Sequence, residues 1–313
     1  MMTAIESVTV GVRDLDGVLA FCRDTLGYRV EHDLRASVSL LAAWKLPVHA
    51  DVRLVTLSCD GHGFGRIRLA HWPQPAGRAD GRPTDAGPKA LDLYTGAPIG
   101  RALERLAAAG CTVRSAPQRF HIGSNDTEEA VVEAPGGLPL LVMVGHGHVA
   151  GIRRLAPGPG QFSEVATVSI VTQNLDASRR FYEEALGWVP ESTDVELRGE
   201  DREAACRLYG VAEGARVHMA VYRERRQASG KVVLLHFYDR TTPPPAAAMR
   251  PGLDGFSMLP CRCPDLEALA ARLGRAGGQV ESVIQHVAVD AGVPCRVMLV
   301  RSPSGELFEC IER

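Results

Sequence analysis

The sequence predicts an α+β protein built from four copies of one βαβββ unit. The first observation is that segment 5–28 returns without a gap 160 residues later as segment 165–188, with Val8 aligned on Val168 and Phe21 on Phe181. The second is that each copy has the pattern of a strand followed by a helix. The third is that the same order restarts at Lys89 and again at Phe256, which gives two further units.

The repeated segment combines a strand pattern with helix-capping signals. Val8, Val10 and Val12 alternate with Ser, Thr and Gly, which is typical of a strand with two different faces. The Asp-Leu-Asp and Asn-Leu-Asp corners that follow the strand of each copy supply short polar side chains that cap helices. Gly187 is expected to end the second helix in a left-handed conformation.

The remaining elements of the first half follow in order. We predict strands over 51–58 and 65–71, a loop over 72–89, a strand from Lys89, a helix over 99–109 and strands over 111–120, 128–134 and 138–144. The span between Tyr28 and Asp51 has the weakest pattern.

The second half repeats that order. Strands are predicted over 215–222, 231–238 and 256–263, a helix over 266–276, and strands over 279–289, 294–301 and 306–312. Residues 198–211 show no alternation and predict a short helix or lid peculiar to this half. The Gly- and Pro-rich segment 147–162 is predicted to link two modules, residues 1–146 and 163–313.

Composition narrows the possible partners and location. A formal charge of −2 and a pI near 6.6 argue against nucleic acid or an anionic membrane as partner. The eight cysteines include no CxxC pair, which argues against a disulfide framework or a zinc knuckle. No signal peptide or membrane-spanning stretch is evident, so we expect a cytoplasmic protein.

The motifs of the chain resemble those of the vicinal oxygen chelate superfamily, which comprises glyoxalases, bleomycin resistance proteins and extradiol dioxygenases. The resemblance covers nearly the whole chain: the VTVGVRDLDGVLAFCRDTLGY and VSIVTQNLDASRRFYEEALGW segments, the LERLAAAG and LAARLGRAG helices, and the APGGLPLLV and SPSGELFEC strands. It implies two tandem modules of two units each, with the concave faces of each module closing around a pocket.

Members with metal chemistry place ligands at four inward-facing strand positions of a module. The resemblance puts these positions at Ser7, His71, Ala90 or Asp92, and Leu141 in the first module, and at Thr167, His236, Met258 or Ser257, and Glu309 in the second. A catalytic divalent ion usually has three protein ligands. Neither set supplies three, so we predict no metal and no other cofactor.

Glu309 and His236 are the predicted catalytic residues. If they touch, the carboxylate orients the imidazole for acid/base chemistry near neutral pH. The structural alternatives are an ion pair for Glu309, and core histidines hydrogen-bonded by the backbone for His236 and His71. His218 or His286 would be a third ligand if a metal is bound after all.

In addition to His71, six residues are predicted to bind a ligand. Asp92 and Tyr94 share a strand face and could fix a small molecule, although a tie to the following loop is an alternative. Met258 and Leu141 make former ligand positions apolar, which suits a hydrophobic or aromatic molecule. Ser7 and Thr167 complete the set.

We therefore expect a protein that binds an organic small molecule without the usual metal centre, for sequestration or resistance, or for a metal-independent transformation. The alternative is a dioxygenase, isomerase or lyase with one divalent metal in the second module. A catalytically silent subunit is a third possibility. Besides the small molecule, the only expected partner is a second copy in a homodimer.

Overall fold

The computed structural model describes residues 1–59, 63–78, 83–122, 125–146, 162–238, 249–289 and 293–313, and it confirms the α+β class with four βαβββ units. Unit one comprises β1 (Ser7–Val12), α1 (Leu15–Ala20), β2 (Arg29–Arg35), α2 (Val38–Ala43), β3 (Arg53–Ser58) and β4 (Arg66–His71). Unit two comprises β5 (Gly87–Thr95), α3 (Ile99–Ala108), β6 (Thr112–Val113), β7 (Gln118–Ile122), β8 (Asn125–Ala134) and β9 (Leu138–Gly145).

The second half of the chain supplies the other two units. Unit three comprises β10 (Phe162–Val171), α4 (Leu175–Arg180), β11 (Val189–Glu196), α5 (Gly199–Leu208), β12 (Val217–Arg223) and β13 (Lys231–Phe237). Unit four comprises β14 (Gly255–Arg262), α6 (Leu266–Leu273), β15 (Gln279–Val280), β16 (Gln285–Val289), β17 (Val293–Arg301) and β18 (Leu307–Glu312).

The two repeated helices begin as predicted, and the second ends as predicted. Asp14 accepts a hydrogen bond from the Gly17 amide, and Asn174 accepts one from the Ala177 amide, so each satisfies a backbone donor at a helix start. Both helices continue as π-helical turns, Phe21–Thr25 and Phe181–Leu186. Gly187 closes the second at φ 75°, where a side chain would be strained.

The strands form two sheets, but each sheet joins units from different halves of the chain. The first sheet pairs unit one with unit four through antiparallel β1 and β14, and the second pairs unit two with unit three through β5 and β10. The expectation that the two units of one half close a cup together is therefore wrong. The first strands of all four units are apolar on one face, so local pattern does not select the partner.

The predicted linker, residues 147–162, lies outside the described residues except for Phe162, which begins β10. The boundaries of the predicted domains stay a prediction.

A helix follows the second strand in both halves of the chain. Helix α5 confirms the helix predicted within residues 198–211, but α2 occupies the corresponding place in unit one, so this helix is not peculiar to the second half. Helix α2 contacts β16 and β17 of unit four, and α5 contacts β7 and β8 of unit two. Each helix thus crosses to the other unit of its own sheet and covers the concave face.

The opposite faces of the sheets carry the other four helices and a shared hydrophobic core. Phe181 and Tyr182, in the π-helical turns of unit three, contact Phe308 on β18 at ring distances of 5.7 and 6.2 Å. All eight cysteines are free thiols, in line with the predicted lack of a disulfide framework. Among the described residues, none of the helices has the length and apolar character needed to cross a membrane.

Candidate functional site

The concave face of the first sheet, called the first cup, contains a buried ion pair. Arg68 on β4 donates from Nη2 to Glu309 Oε2 on β18 at 2.6 Å, and from Nε to Thr9 Oγ1 on β1 at 2.8 Å. The side chain of Arg68 is 5% exposed and that of Glu309 is fully buried. The pair joins unit one to unit four across the centre of the sheet.

Two tryptophans complete this arrangement. Trp44, which follows α2, donates from Nε1 to Glu309 Oε1 at 2.6 Å, and its ring lies 5.3 Å from the Arg68 guanidinium carbon. Trp72 packs edge-on against Trp44 at 6.1 Å. The centre of the first cup is thus filled by the side chains of the protein itself.

The donor set of the first cup does not fit a divalent ion. Glu309 is its carboxylate, and both oxygens already accept hydrogen bonds. Met258 is paired with Thr9 across β14 and β1, and its thioether is a poor ligand for a hard ion. A guanidinium beside the carboxylate adds a positive charge where a cation would have to bind.

The concave face of the second sheet, the second cup, holds a cavity of about 410 Å³. Strands β5, β9, β10 and β13 form its floor, and Tyr209, which follows α5, lies over it. Its apolar lining is Phe120, Ile122, Leu141, Met143, Pro190, Met219, Val221 and Val233. Val233 occupies the position in the second sheet that corresponds to Arg68 in the first. Leu141 likewise corresponds to Glu309. The second cup therefore lacks the ion pair that fills the first.

Asp92 lies at the base of this cavity. Its Oδ2 accepts hydrogen bonds from Thr167 Oγ1 at 2.5 Å and Ser169 Oγ at 2.8 Å, whereas Oδ1 has no hydrogen-bond partner among the described residues. Burial raises the pKa of Asp92 well above its ordinary value, against the lowering effect of the two hydroxyls. An unsatisfied buried oxygen on a residue that lines a cavity is a candidate partner for a ligand group.

Glu129 on β8 is a second acid in the cavity. Thr127 Oγ1 donates to its Oε1 at 2.8 Å. Burial raises the pKa of Glu129 to about 7 despite that hydrogen bond. Burial and the nearby carboxylates of Glu129 and Asp92 also raise the pKa values of Tyr94 and Tyr209. Glu129 is therefore able to take or give a proton near neutral pH.

A charged cluster lies at the other end of the cavity. Lys231 Nζ is 3.1 Å, and Arg223 Nε 2.9 Å, from the same Oε1 of Glu191. All three residues line the cavity. Two cations sharing one carboxylate leave this end with excess positive charge.

The structure does not bring the predicted catalytic pair together. His236 lies on β13 of the second sheet and Glu309 on β18 of the first. Alternation along β13 places His236 opposite the cavity-lining Lys231 and Val233, and its Nδ1 contacts the Thr172 carbonyl oxygen at 2.9 Å. The structural alternatives, an ion pair for Glu309 and a backbone-bonded core histidine for His236, describe what is found.

The other predicted residues divide between the two cups. Thr167, Asp92, Tyr94 and Leu141 line the cavity of the second cup. Met258 and Ser7 lie in the first sheet beside Thr9, whereas His71 ends β4 on the face opposite Arg68.

The alternative third ligands do not complete a metal site. His218 Nε2 lies 2.6 Å from Asp194 Oδ1, on the face of β12 opposite the cavity residue Met219, and His286 is exposed on β16 of the first sheet. The described part of the chain contains no group of three or more His, Cys, Asp or Glu side chains that could hold a metal ion.

Sequence reasoning missed Arg68, Glu129 and Lys231. Arg68 alternates with Ile67 and Leu69, and Glu129 precedes the buried Ala130, so each is a charge on a strand face. A charged residue that alternates with apolar ones can face either the cup or the solvent. The sequence does not distinguish the two, because it does not show which face of the sheet is concave.

Solved structures of other proteins have an architecture similar to that of this chain. Glyoxalase I from Zea mays has a TM-score of 0.63 and 14% identity, covering 100% of this chain and 92% of that one. A putative dioxygenase from Bacillus subtilis has a TM-score of 0.62 and 14% identity, covering 99% of this chain and 85% of that one. A search of curated proteins gave no match.

The family comparison agrees with the structural one. Residues 164–310 match the model of the Glyoxalase/Bleomycin resistance protein/Dioxygenase superfamily. These residues belong to that superfamily, and the whole chain has its fold. The resemblance inferred from the repeated segments is confirmed. At 14% identity the similar structures establish the fold of this chain but not its activity.

Proposed function

We propose that the protein binds an organic small molecule with a largely apolar body in the second cup, and that no divalent ion mediates the binding. The observation that carries the proposal is the contrast between the cups. The first is filled by Arg68, Glu309 and Trp44, whereas the second has a cavity of about 410 Å³ lined by apolar side chains and a few polar groups. That combination is typical of small-molecule sites.

The chemistry of the second cup supports binding without a metal. Its register positions carry Thr167, Asp92 and Leu141, of which Asp92 alone is a carboxylate. Oδ2 of Asp92 is held by two hydroxyls, and burial disfavours its charged form. A divalent ion needs several oxygen or nitrogen ligands, which these residues do not supply.

The site could serve either to sequester the bound molecule or to carry out a metal-independent reaction on it. Glu129 favours the second candidate, because a cavity acid with a pKa of about 7 can exchange protons with a bound molecule. A metal-dependent dioxygenase, isomerase or lyase remains the competing function, and the donor sets of both cups argue against it.

A matched pair of tryptophan variants tests the site of binding. Val233 is half-buried in the cavity wall, so Val233→Trp should fill the cavity, whereas Val283 is 73% exposed between β15 and β16 and Val283→Trp should not. The probe is N-phenylnaphthylamine, an uncharged dye that fluoresces in apolar surroundings. We expect wild type and Val283→Trp to bind the dye and Val233→Trp to lose most of that binding. Equal binding by a folded Val233→Trp variant would contradict the proposal.

A further inference from the structure

We infer that the natural ligand is an organic anion whose charged group binds at the Lys231 end of the second cup, while its apolar body extends towards Asp92. The inference rests on the proposed function and adds a ligand class to it.

The register of the second sheet sets the geometry of the cavity. Lys231 pairs with Thr167, Thr167 with Asp92 and Asp92 with Leu141, so the four residues lie in one row across β13, β10, β5 and β9. Neighbouring strands are about 4.8 Å apart, so the backbones at Lys231 and Asp92 are roughly 10 Å apart. A molecule of two fused rings fits this span.

The charge at one end of that row is unbalanced. The Lys231 side chain is only 12% exposed, and the Glu191 oxygen that it contacts is shared with Arg223. An ammonium group has three N–H donors, so Lys231 can donate to Glu191 and to a ligand at once. Excess positive charge in a partly buried site is costly, and an anionic ligand group would offset that cost.

The first cup shows which part of this arrangement is specific. In the first cup, Arg66 occupies the position that corresponds to Lys231, because it pairs with Ser7 on the neighbouring strand. Arg66 Nε lies 2.9 Å from Glu31. The position that corresponds to Arg223 is occupied by the uncharged Ser58. Ser58 pairs with Arg29, and Arg223 pairs with Val189, the residue that aligns with Arg29 in the repeat. The ion pair is therefore common to both cups, whereas the second cation occurs only beside the cavity.

Two dyes that differ in one group test the inference. The linear isomer of toluidinonaphthalene sulfonate carries an anionic group at one end of an apolar body, and tolylnaphthylamine is the same molecule without the sulfonate. We expect wild type to bind the sulfonate more tightly. Lys231→Met should weaken sulfonate binding about tenfold or more, the usual effect of losing a charged hydrogen bond, and change binding of the neutral dye less than about twofold.

Arg66→Met is the matched control, because it removes the corresponding ion pair from the filled cup. It should leave the affinity for both dyes unchanged. If both dyes bound equally, or if Lys231→Met had no effect or the same effect as Arg66→Met, the inference would be overturned while the proposed function stood. If neither dye bound, both would be overturned.

Discussion

Arg68 and Glu309 form a buried ion pair at the centre of the first sheet, with 2.6 Å between Nη2 and Oε2. The residues are 241 positions apart and come from the first and last units of the chain. Glu309 also accepts from Trp44 at 2.6 Å, so the pair connects β4 and β18 with the segment after α2. One contact thus ties together both units and the cover of the first cup.

Removing one partner of this pair should destabilise the protein strongly. Arg68→Met leaves the buried Glu309 carboxylate without its counter-charge, a change that usually costs about 3–5 kcal/mol of unfolding free energy. Urea denaturation followed by circular dichroism measures the loss.

A double variant supplies the control for that measurement. The second cup carries Val233 and Leu141 at the corresponding positions, so Arg68→Val combined with Glu309→Leu should be more stable than Arg68→Met alone. If Arg68→Met cost less than about 1 kcal/mol, the pair would not hold the cup as described.

Stability should fall as pH rises from about 4.5 to about 8, partly because of Glu306. This side chain is fully buried, neither carboxylate oxygen has a hydrogen-bond partner among the described residues, and burial raises its pKa from 4.5 to about 8. A folded-state pKa above the unfolded value means that the folded state holds the proton more tightly. The stabilisation is complete below about 4.5 and is lost as pH rises through about 8.

Glu306→Gln should reduce this pH dependence, measured by urea denaturation at a series of pH values. Asp92 and Glu129 act in the same direction and will leave a residual slope. Glu184→Gln, at an exposed position, is the control and should retain the wild-type profile. A Glu306→Gln profile as steep as that of wild type would show that Glu306 does not titrate in this range.

Sulfonate dye binding should weaken as pH rises through about 7. Glu129 becomes negatively charged over this interval and then repels an anion in the same cavity. The charged and titratable groups that share the cavity with Glu129 are Asp92 and Tyr94 on β5, Glu191 on β11, Arg223 on β12, Lys231 on β13 and Tyr209 after α5. Fluorescence titration on either side of that pH measures the effect.

Glu129→Gln and the neutral dye are the controls for this pH effect. The variant should bind the sulfonate with an affinity that changes little across the interval, and the neutral dye should show little change with wild type. A wild-type pH dependence that persisted in Glu129→Gln would assign the titration to another group.

The sequence predicts the units of this fold better than their association. The match of segment 5–28 to segment 165–188 locates two strand–helix pairs, and their caps at Asp14 and Asn174 form as expected. Pairing of β1 with β14 rather than with β5 depends on contacts between distant segments, and local alternation carries no information about it.

The sequence predicts the site only in part, because it does not show which units share a sheet. The sequence predicts Asp92 and Thr167 as ligand-binding residues in different modules, and in the structure they meet through a 2.5 Å hydrogen bond. The sequence pairs Glu309 with His236 because both belong to the second half of the chain. Once the sheets exchange units, Glu309 instead meets Arg68.

The metal dependence of dye binding tests the central claim most directly. Protein treated with a chelator and dialysed is titrated with N-phenylnaphthylamine, first alone and then with added zinc, nickel, manganese or ferrous ions. Because the described residues of the second cup supply no set of three ligands for a divalent ion, we predict the same dissociation constant in every case, and loss of binding in Val233→Trp throughout. Binding that disappears with the chelator and returns with one of these ions would contradict the account.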